Sequence, residues 1–384
     1  MKAVKADFLY TGKPDEVVKN VYVIFENEKI IDVTSEKPKG AEIIEVEGAV
    51  VTPAFIDAHC HIGMARHGEP SAEDEANEKF DTVLPLADAL YSIYLDDKAF
   101  KESIEHGVLY SCVLPGSGNI IGGKGVLIRN YGEDIEEAFI KYAGVKAALG
   151  YNPRSTTEWK GTRPFTRMGA IAILRKWLEK AKDTLTLIEK GKKTIEEIEP
   201  EIKYLFPIIK GEEILRVHVH KVDDVAGLLL LKKEFKFKAT VEHLCDVNTK
   251  LTFEKLKKEK VPIIYGPVDA FAYKTELKHE DWRNVKYLVE VKPLFGLMSD
   301  HPVTLQRNIY LQLRYFRRFG MSKTECISIL TQNNAKILGI DDKLGTIEKG
   351  KWASMVIWSG DPFNLDSYPV IVIGEGKVLH EEKA

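Results

Sequence analysis

Residues 52–61 read Thr52-Pro53-Ala54-Phe55-Ile56-Asp57-Ala58-His59-Cys60-His61. A short apolar run leads directly into two histidines spaced two apart. Period two places His59 and His61 on one face of a strand, so both rings can reach a single ion. A polar stretch follows, and beyond it strands alternate with helices. Strand candidates lie at 54–56, 108–114, 126–128, 144–149, 214–220, 239–243, 261–265 and 294–298. Helical candidates lie at 88–105, 135–142, 167–197, 222–234, 252–258 and 303–318. Eight strands, mostly separated by helices, predict a closed (β/α)8 TIM-like barrel rather than an open sheet.

Outward from the barrel the texture changes at both ends. The first fifty residues read as short strands with turns at Asn27-Glu28 and 38–40; after Gly339, short strands return at 344–347, 355–358, 370–373 and 377–379. Chain termini tend to lie close together. The expectation is one small β-sandwich domain built from 1–51 and 345–384, with the barrel at 52–344.

The histidine spacing recurs. His218 and His220 end the fifth strand, His243 ends the sixth, and Asp300 follows the eighth. The carboxyl ends of barrel strands converge on one pocket. Imidazoles and a carboxylate converging there suit Zn²⁺ or another divalent ion. Two strand histidines alone are equally compatible with satisfied core groups; the matching positions on later strands favour the metal. Asp300 is placed to accept a proton from water and pass it on, or to cap the helix that Pro302 opens. Lys146, within the fourth strand, admits two readings: a lysine carboxylated by CO₂ that bridges two ions, or an ammonium paired with Glu242 or another acid.

Further candidates for substrate contact are His220, Asn119, Arg163, Arg167 and Tyr265. The arginines offer a fork for a carboxylate or ordinary surface ion pairs. Tyr265 could meet a carbonyl or simply fill the core. His67, His106, His279 and His380 have no such setting, and His301 reads as structural.

Composition excludes other classes. The 384 residues carry a net charge of −3, with 44% hydrophobic and 29% charged residues. That supports a large core and no general attraction to nucleic acid or anionic lipid. No apolar run approaches the roughly 20 residues of a membrane span, and 1–10 lack the apolar core of a signal peptide. Four scattered cysteines form no CxxC pair. The expectation is a cytoplasmic enzyme acting on a small molecule, without nucleic acid or membrane. Homo-oligomerisation is compatible with the sequence, which discloses no interface.

From 52–61 through Gly345-Thr346-Ile347-Glu348-Lys349-Gly350, the chain resembles the amidohydrolase superfamily over nearly its whole length. Pro115-Gly116-Ser117-Gly118-Asn119-Ile120-Ile121-Gly122-Gly123, Leu149-Gly150-Tyr151-Asn152-Pro153 and Thr166-Arg167-Met168-Gly169 are similar to its imidazolonepropionase-related branch. The resemblance implies a distorted barrel with a β-sandwich from both termini. It implies metal ligation by His59, His61, His218, His243 and Asp300, with Asp300 also the general base and Lys146 the lysine carboxylated in binuclear members. It implies hydrolysis of an amide or cyclic amide C–N bond, with His243 assisting. Two departures bear on chemistry. Tyr151 stands where the branch often has glutamate, and Lys221 stands where deaminases place an acid. A heterocycle deaminase, or a catalytically silent binding barrel, is the alternative.

Overall fold

The computed structural model describes residues 1–70, 73–154, 162–268, 270, 272 and 274–382. The N-terminal segment forms β1 (Lys2–Tyr10), β2 (Val17–Glu26), β3 (Lys29–Thr34), β4 (Glu42–Ile44) and β5 (Val50–Pro53). A tight turn at Asn27-Glu28 joins β2 to β3, with Asn27 at φ 51°, a conformation asparagine tolerates.

The chain then builds a second sheet from β6 (Phe55–Cys60), β7 (Val108–Val113), β8 (Ile121–Arg129), β9 (Phe139–Ala148), β10 (Ile214–Val219), β11 (Lys238–His243), β12 (Ile263–Tyr265) and β13 (Phe295–Leu297). These strands neighbour one another in chain order. Strands β6 and β7 are buried at every position, as expected where both faces are covered. The barrel closes where β13 meets β6. The Asn334 amide donates to Ile56 O (2.6 Å) and Leu297 O (2.9 Å), while its oxygen accepts from Leu297 N (3.1 Å). Three residues past β13, Asp300 N donates to His59 O at 3.1 Å.

The barrel departs from the all-parallel pattern at one strand. β8 runs antiparallel to both β7 and β9. Only residues 114–120 link β7 to β8, too few for a parallel crossover. The helix expected over 135–142 is cut short for the same reason. It ends at Ala138, and Phe139 enters β9 opposite Ile128; strand pairing overrides local helical periodicity. Three other expected helices also differ. That over 88–105 divides into a 3-10 segment Ala89–Ser92 and a helix Lys98–Glu105. That over 167–197 stops at Glu189. That over 303–318 becomes a 3-10 segment Gln306–Gln312 followed by a helix Leu313–Arg318, because the Gln306 side chain is drawn down to Asp57, 2.9 Å away.

The chain ends in β14 (Met355–Trp358), β15 (Pro369–Gly374) and β16 (Lys377–Glu381). β14 pairs antiparallel with β5, so the first sheet has the order β16-β15-β14-β5-β1-β2-β3, with β4 on the edge of β1. Both ends of the chain thus share one sheet, and the fold is a (β/α)8-type barrel with a terminal β-sandwich. The strand expected at 344–347 is instead a turn tied to Thr11 by Ile347 N. The sheet has its own core of Val4, Leu9, Val23, Phe25, Val51, Met355 and Ile357. Trp358, fully buried, packs on Phe55 of the barrel and donates to Thr52 Oγ1 at 3.0 Å. Burying one large apolar side chain is worth about 1.5–3 kcal/mol, so this seam is a substantial bond between sheet and barrel. Among the described residues no helix is long and apolar enough to cross a membrane.

Candidate metal centre

The carboxyl ends of β6, β10, β11 and β13 bring four histidine rings and Asp300 together. The His59 and His61 rings lie 5.4 Å apart, His59 and His243 4.9 Å, and His218 and His243 4.3 Å. Strand alternation explains His218 and Arg216, which share the inner face of β10. It does not explain β11, where the consecutive residues Glu242 and His243 both reach the site. The backbone solves this with left-handed geometry: His243 has φ 76° and Leu244 φ 62°. Asp300, at φ 52°, is held the same way. Such conformations cost about 1–3 kcal/mol each and gather at functional sites.

Three rings are locked at Nδ1. His59 Nδ1 faces Glu242 Oε2 at 2.9 Å, His61 Nδ1 faces Leu114 O at 2.7 Å, and His243 Nδ1 faces Gly266 O at 3.0 Å. Each oxygen can only accept, so Nδ1 carries the proton and Nε2 offers a lone pair. His59 Nε2 and His61 Nε2 stand 3.7 and 3.3 Å from Asp300 Oδ1. The buried His218 finds no hydrogen-bond partner for either ring nitrogen among the described residues, nor does His243 Nε2.

Burial disfavours charge on the rings of His59, His218, His220 and His243. Burial, with Lys146 nearby, lowers His59 to about 4. Burial likewise holds His218, His220 and His243 well below the usual range. Asp300 stays ionised: burial opposes its charge, but His243 and His61 outweigh burial and depress its carboxyl. Buried lone pairs without partners beside a carboxylate are an N/O donor set of the kind a divalent ion takes. Two groups have ligand atoms within 4.8 Å of one another: His59, His243 and Asp300; and His218, His220 and His243. The centre therefore offers one or two divalent-ion sites that share His243.

The other sequence candidates separate. Lys146 is fully buried, and its Nζ lies 3.1 Å from His59 Nε2 rather than on Glu242. Glu242 is taken by Arg216 at 2.7 Å. Burial lowers Lys146 to about 8. His220 stands among the donors, its ring 4.9 Å from that of His243. Asn119 donates to Glu78 O and Asp81 O, fastening the loop over the barrel. Arg163 donates to Gly118 O. Arg167 is turned to Asp223 and Asp224, at 3.5 and 3.6 Å. Tyr265 packs against Phe253 and Phe316 of the surrounding helices, away from the cluster. His301 accepts at Nδ1 from Gln306 N, in line with a structural role. Asp300 does not cap the following segment with its side chain, which points at His61.

Sequence reasoning missed several groups. Arg216 carried a usable signal, two residues before His218 on the same strand face. Glu276 carried none, because it arrives on a loop after β12. It is 2% exposed, lies 3.5 Å from His218 Nε2, and is held by Lys274 and by Tyr151 N, each at 2.8 Å.

A barrel whose strand ends present neutral histidines and an ionised aspartate defines a metal-dependent hydrolase. The comparisons agree. Residues 213–379 match the family described as "Amidohydrolase family". An amidohydrolase structure from Thermotoga maritima MSB8 superposes with a TM-score of 0.93 at 30% identity, each chain covered in full. Amidohydrolase tasK of Hapsidospora irregularis is 26% identical over 91% of this chain, which spans only 38% of that relative's length. An imidazolonepropionase of Picrophilus torridus is 26% identical over 91% of this chain and 88% of its own. The chain belongs to the amidohydrolase family, as an enzyme of the class that hydrolyses C–N bonds with metal-activated water, related to the imidazolonepropionase branch.

Proposed function

We propose that the substrate is a small amide, a dipeptide or a cyclic amide, and that Zn²⁺ or a similar divalent ion serves the reaction. The observation that carries this reading is the pair of donor groups joined at His243. The kinship to imidazolonepropionases supports the cyclic-amide member of the class. His59, His61, His218, His243 and Asp300 hold the ion or ions, with His220 joining them. When bound, such an ion supplies the charge that activates water and polarises a carbonyl. Asp300 accepts the water proton at its carboxylate and returns it to the leaving nitrogen. The fixed Nδ1 contacts keep the rings from rotating as charge develops. Lys146, if carboxylated, would add an anionic oxygen donor for a two-ion centre; as an ammonium it would leave a one-ion centre. Arg163, which donates to Gly118 O in the loop after β7, is the proposed contact for an anionic substrate group. Residues 1–53 and 355–382 would form the supporting β-sandwich, because β5 runs to Pro53 in that sheet, with the hydrolase barrel between them.

The test combines metal analysis of protein purified without added ions with a panel of N-acetyl amino acids, dipeptides and cyclic amides. We expect about one or two ions per chain. Hydrolysis should be abolished by chelation and restored by Zn²⁺, Co²⁺ or Mn²⁺. Intact mass heavier by one CO₂ identifies the carboxylated lysine. Protein that holds no ion and hydrolyses none of the panel defeats the proposal. Glu276 beside His218 motivates a second reading, a heterocycle deaminase, since it supplies an acid that Lys221 does not. Ammonia released from a heterocycle panel, without amide hydrolysis, selects it.

A further inference from the structure

Beneath the histidines lies a charged pair that the hydrolytic reading leaves unused. Arg216 and Glu242 are 1% and 0% exposed. Arg216 Nε donates to Glu242 Oε1 at 2.7 Å, Nη2 reaches Oε2 at 3.3 Å, and Nη2 also donates to Ala58 O at 2.8 Å. The Thr240 hydroxyl donates to the same carboxylate. Glu242 Oε2 in turn holds His59 Nδ1 at 2.9 Å. One guanidinium thus ties β10 and β11 to β6, directly below the ring of His59.

This support is unequal around the centre. His61 and His243 are backed by neutral carbonyls, at Leu114 and Gly266. The Nδ1 atoms of His218 and His220 have no partner among the described residues. Glu276 faces the Nε2 edge of His218 from 3.5 Å and is paired with Lys274. Among these rings, only His59 has a carboxylate at hydrogen-bond distance from its Nδ1; Asp300 Oδ2 stands 3.9 Å from that of His243. An imidazole that donates to a carboxylate is a more basic and better oriented ligand than one that donates to a carbonyl. Its other edge faces Asp300 at 3.7 Å and Lys146 Nζ at 3.1 Å, so two carboxylates and one buried lysine surround the His59 ring. The His218–His220–His243 corner offers three neutral rings, two of them unanchored at Nδ1.

We infer that Glu242, held in place by Arg216, is a positioning residue that makes the His59–Asp300 corner the tighter ion site and fixes the order of loading. An ion enters that corner first, and any second ion enters the three-histidine corner with lower affinity. The inference rests on the ion-binding reading above. It is independent of which amide is cleaved.

The experiment is Zn²⁺ and Co²⁺ binding to chelator-stripped protein, measured by competition with a chromophoric chelator. Glu242→Gln keeps the shape and removes the charge. The double variant Arg216→Met with Glu242→Gln also removes the guanidinium, which avoids leaving a buried cation unpaired. In both, the tightest binding step should weaken by about 10–100-fold, the usual effect of losing a ligand's hydrogen-bonding partner. A weaker second step, where present, should keep its wild-type constant. A merely structural role would instead lower thermal stability without selecting one step. Wild-type affinity at the first step in a folded double variant overturns the inference, and so does equal weakening of two steps. Wild-type protein that binds neither ion defeats the ion-binding reading itself, a result distinguishable from both.

Discussion

Asp300 occupies a left-handed backbone position, within 3.3 Å of His61 Nε2 and 3.7 Å of His59 Nε2. Its carboxylate is the acceptor nearest the Nε2 edges of both rings. Asp300→Asn retains an oxygen there and removes the base. Bound metal should be largely retained while kcat falls by roughly 10²–10⁴; steady-state kinetics beside metal analysis would check both halves. Turnover at the wild-type rate would exclude Asp300 as the base. At this scale the sequence was informative where spacing encodes geometry. His59, His61, His218, His243 and Asp300 could be read from their places at strand ends. Lys146, Arg167 and Tyr265 could not be resolved, because a strand position alone does not reveal which neighbour a long side chain meets. Arg167 finds two aspartates and Tyr265 finds two phenylalanines, all contributed by other elements.

At the scale of elements, the closure of β13 on β6 decides whether His59 and Asp300 face each other. Asn334 supplies that closure through three hydrogen bonds to strand backbone. Asn334→Ala leaves buried backbone groups without partners, at about 1–3 kcal/mol per group, and we expect a loss of roughly 2–4 kcal/mol. Gly296→Ala attacks the same joint from the other side, since an added Cβ would lie 1.7 Å from Asn334 Oδ1. Overpacking of that kind costs about 1–3 kcal/mol or more. Urea unfolding of both variants provides the measurement; midpoints equal to wild type would show that the seam closes without Asn334. The reversal of β8 belongs to this scale too. Residues 114–120 are visibly short, yet the helical pattern over 135–142 masked a strand whose partner lies elsewhere in the chain.

For the molecule as a whole, Glu348 joins the two ends of the chain. Its carboxylate meets Lys13 at 2.8 Å and Lys351 at 3.2 Å, and accepts from Thr346 Oγ1 at 2.6 Å. Lys13 first, then Thr346, lower its carboxyl to about 2. An unfolded glutamate titrates near 4.3. A depressed folded value means that this contribution is fully present above about 4.3 and is lost as pH falls towards 2. Glu348→Gln should flatten the acid limb of a stability–pH curve in that window and lower stability at neutral pH by the same modest amount, because the side chain is 37% exposed and solvent screens the pair. An unaltered acid limb would show that Glu348 does not couple to folding.

Consecutive residues alone encode the alternation of strands and helices, the paired textures of the two ends, and the set of histidines with Asp300. These are local: side-chain period, strand length and turn chemistry are written in consecutive residues. Only the tertiary structure decided the reversed β8, the left-handed turn that aims His243, the Arg216–Glu242 support beneath His59, and the arrival of Glu276 beside His218. Each of those depends on what a distant segment places opposite. In a low-dielectric interior, the identity of that neighbour determines whether a charge is held, neutralised or turned towards a ligand.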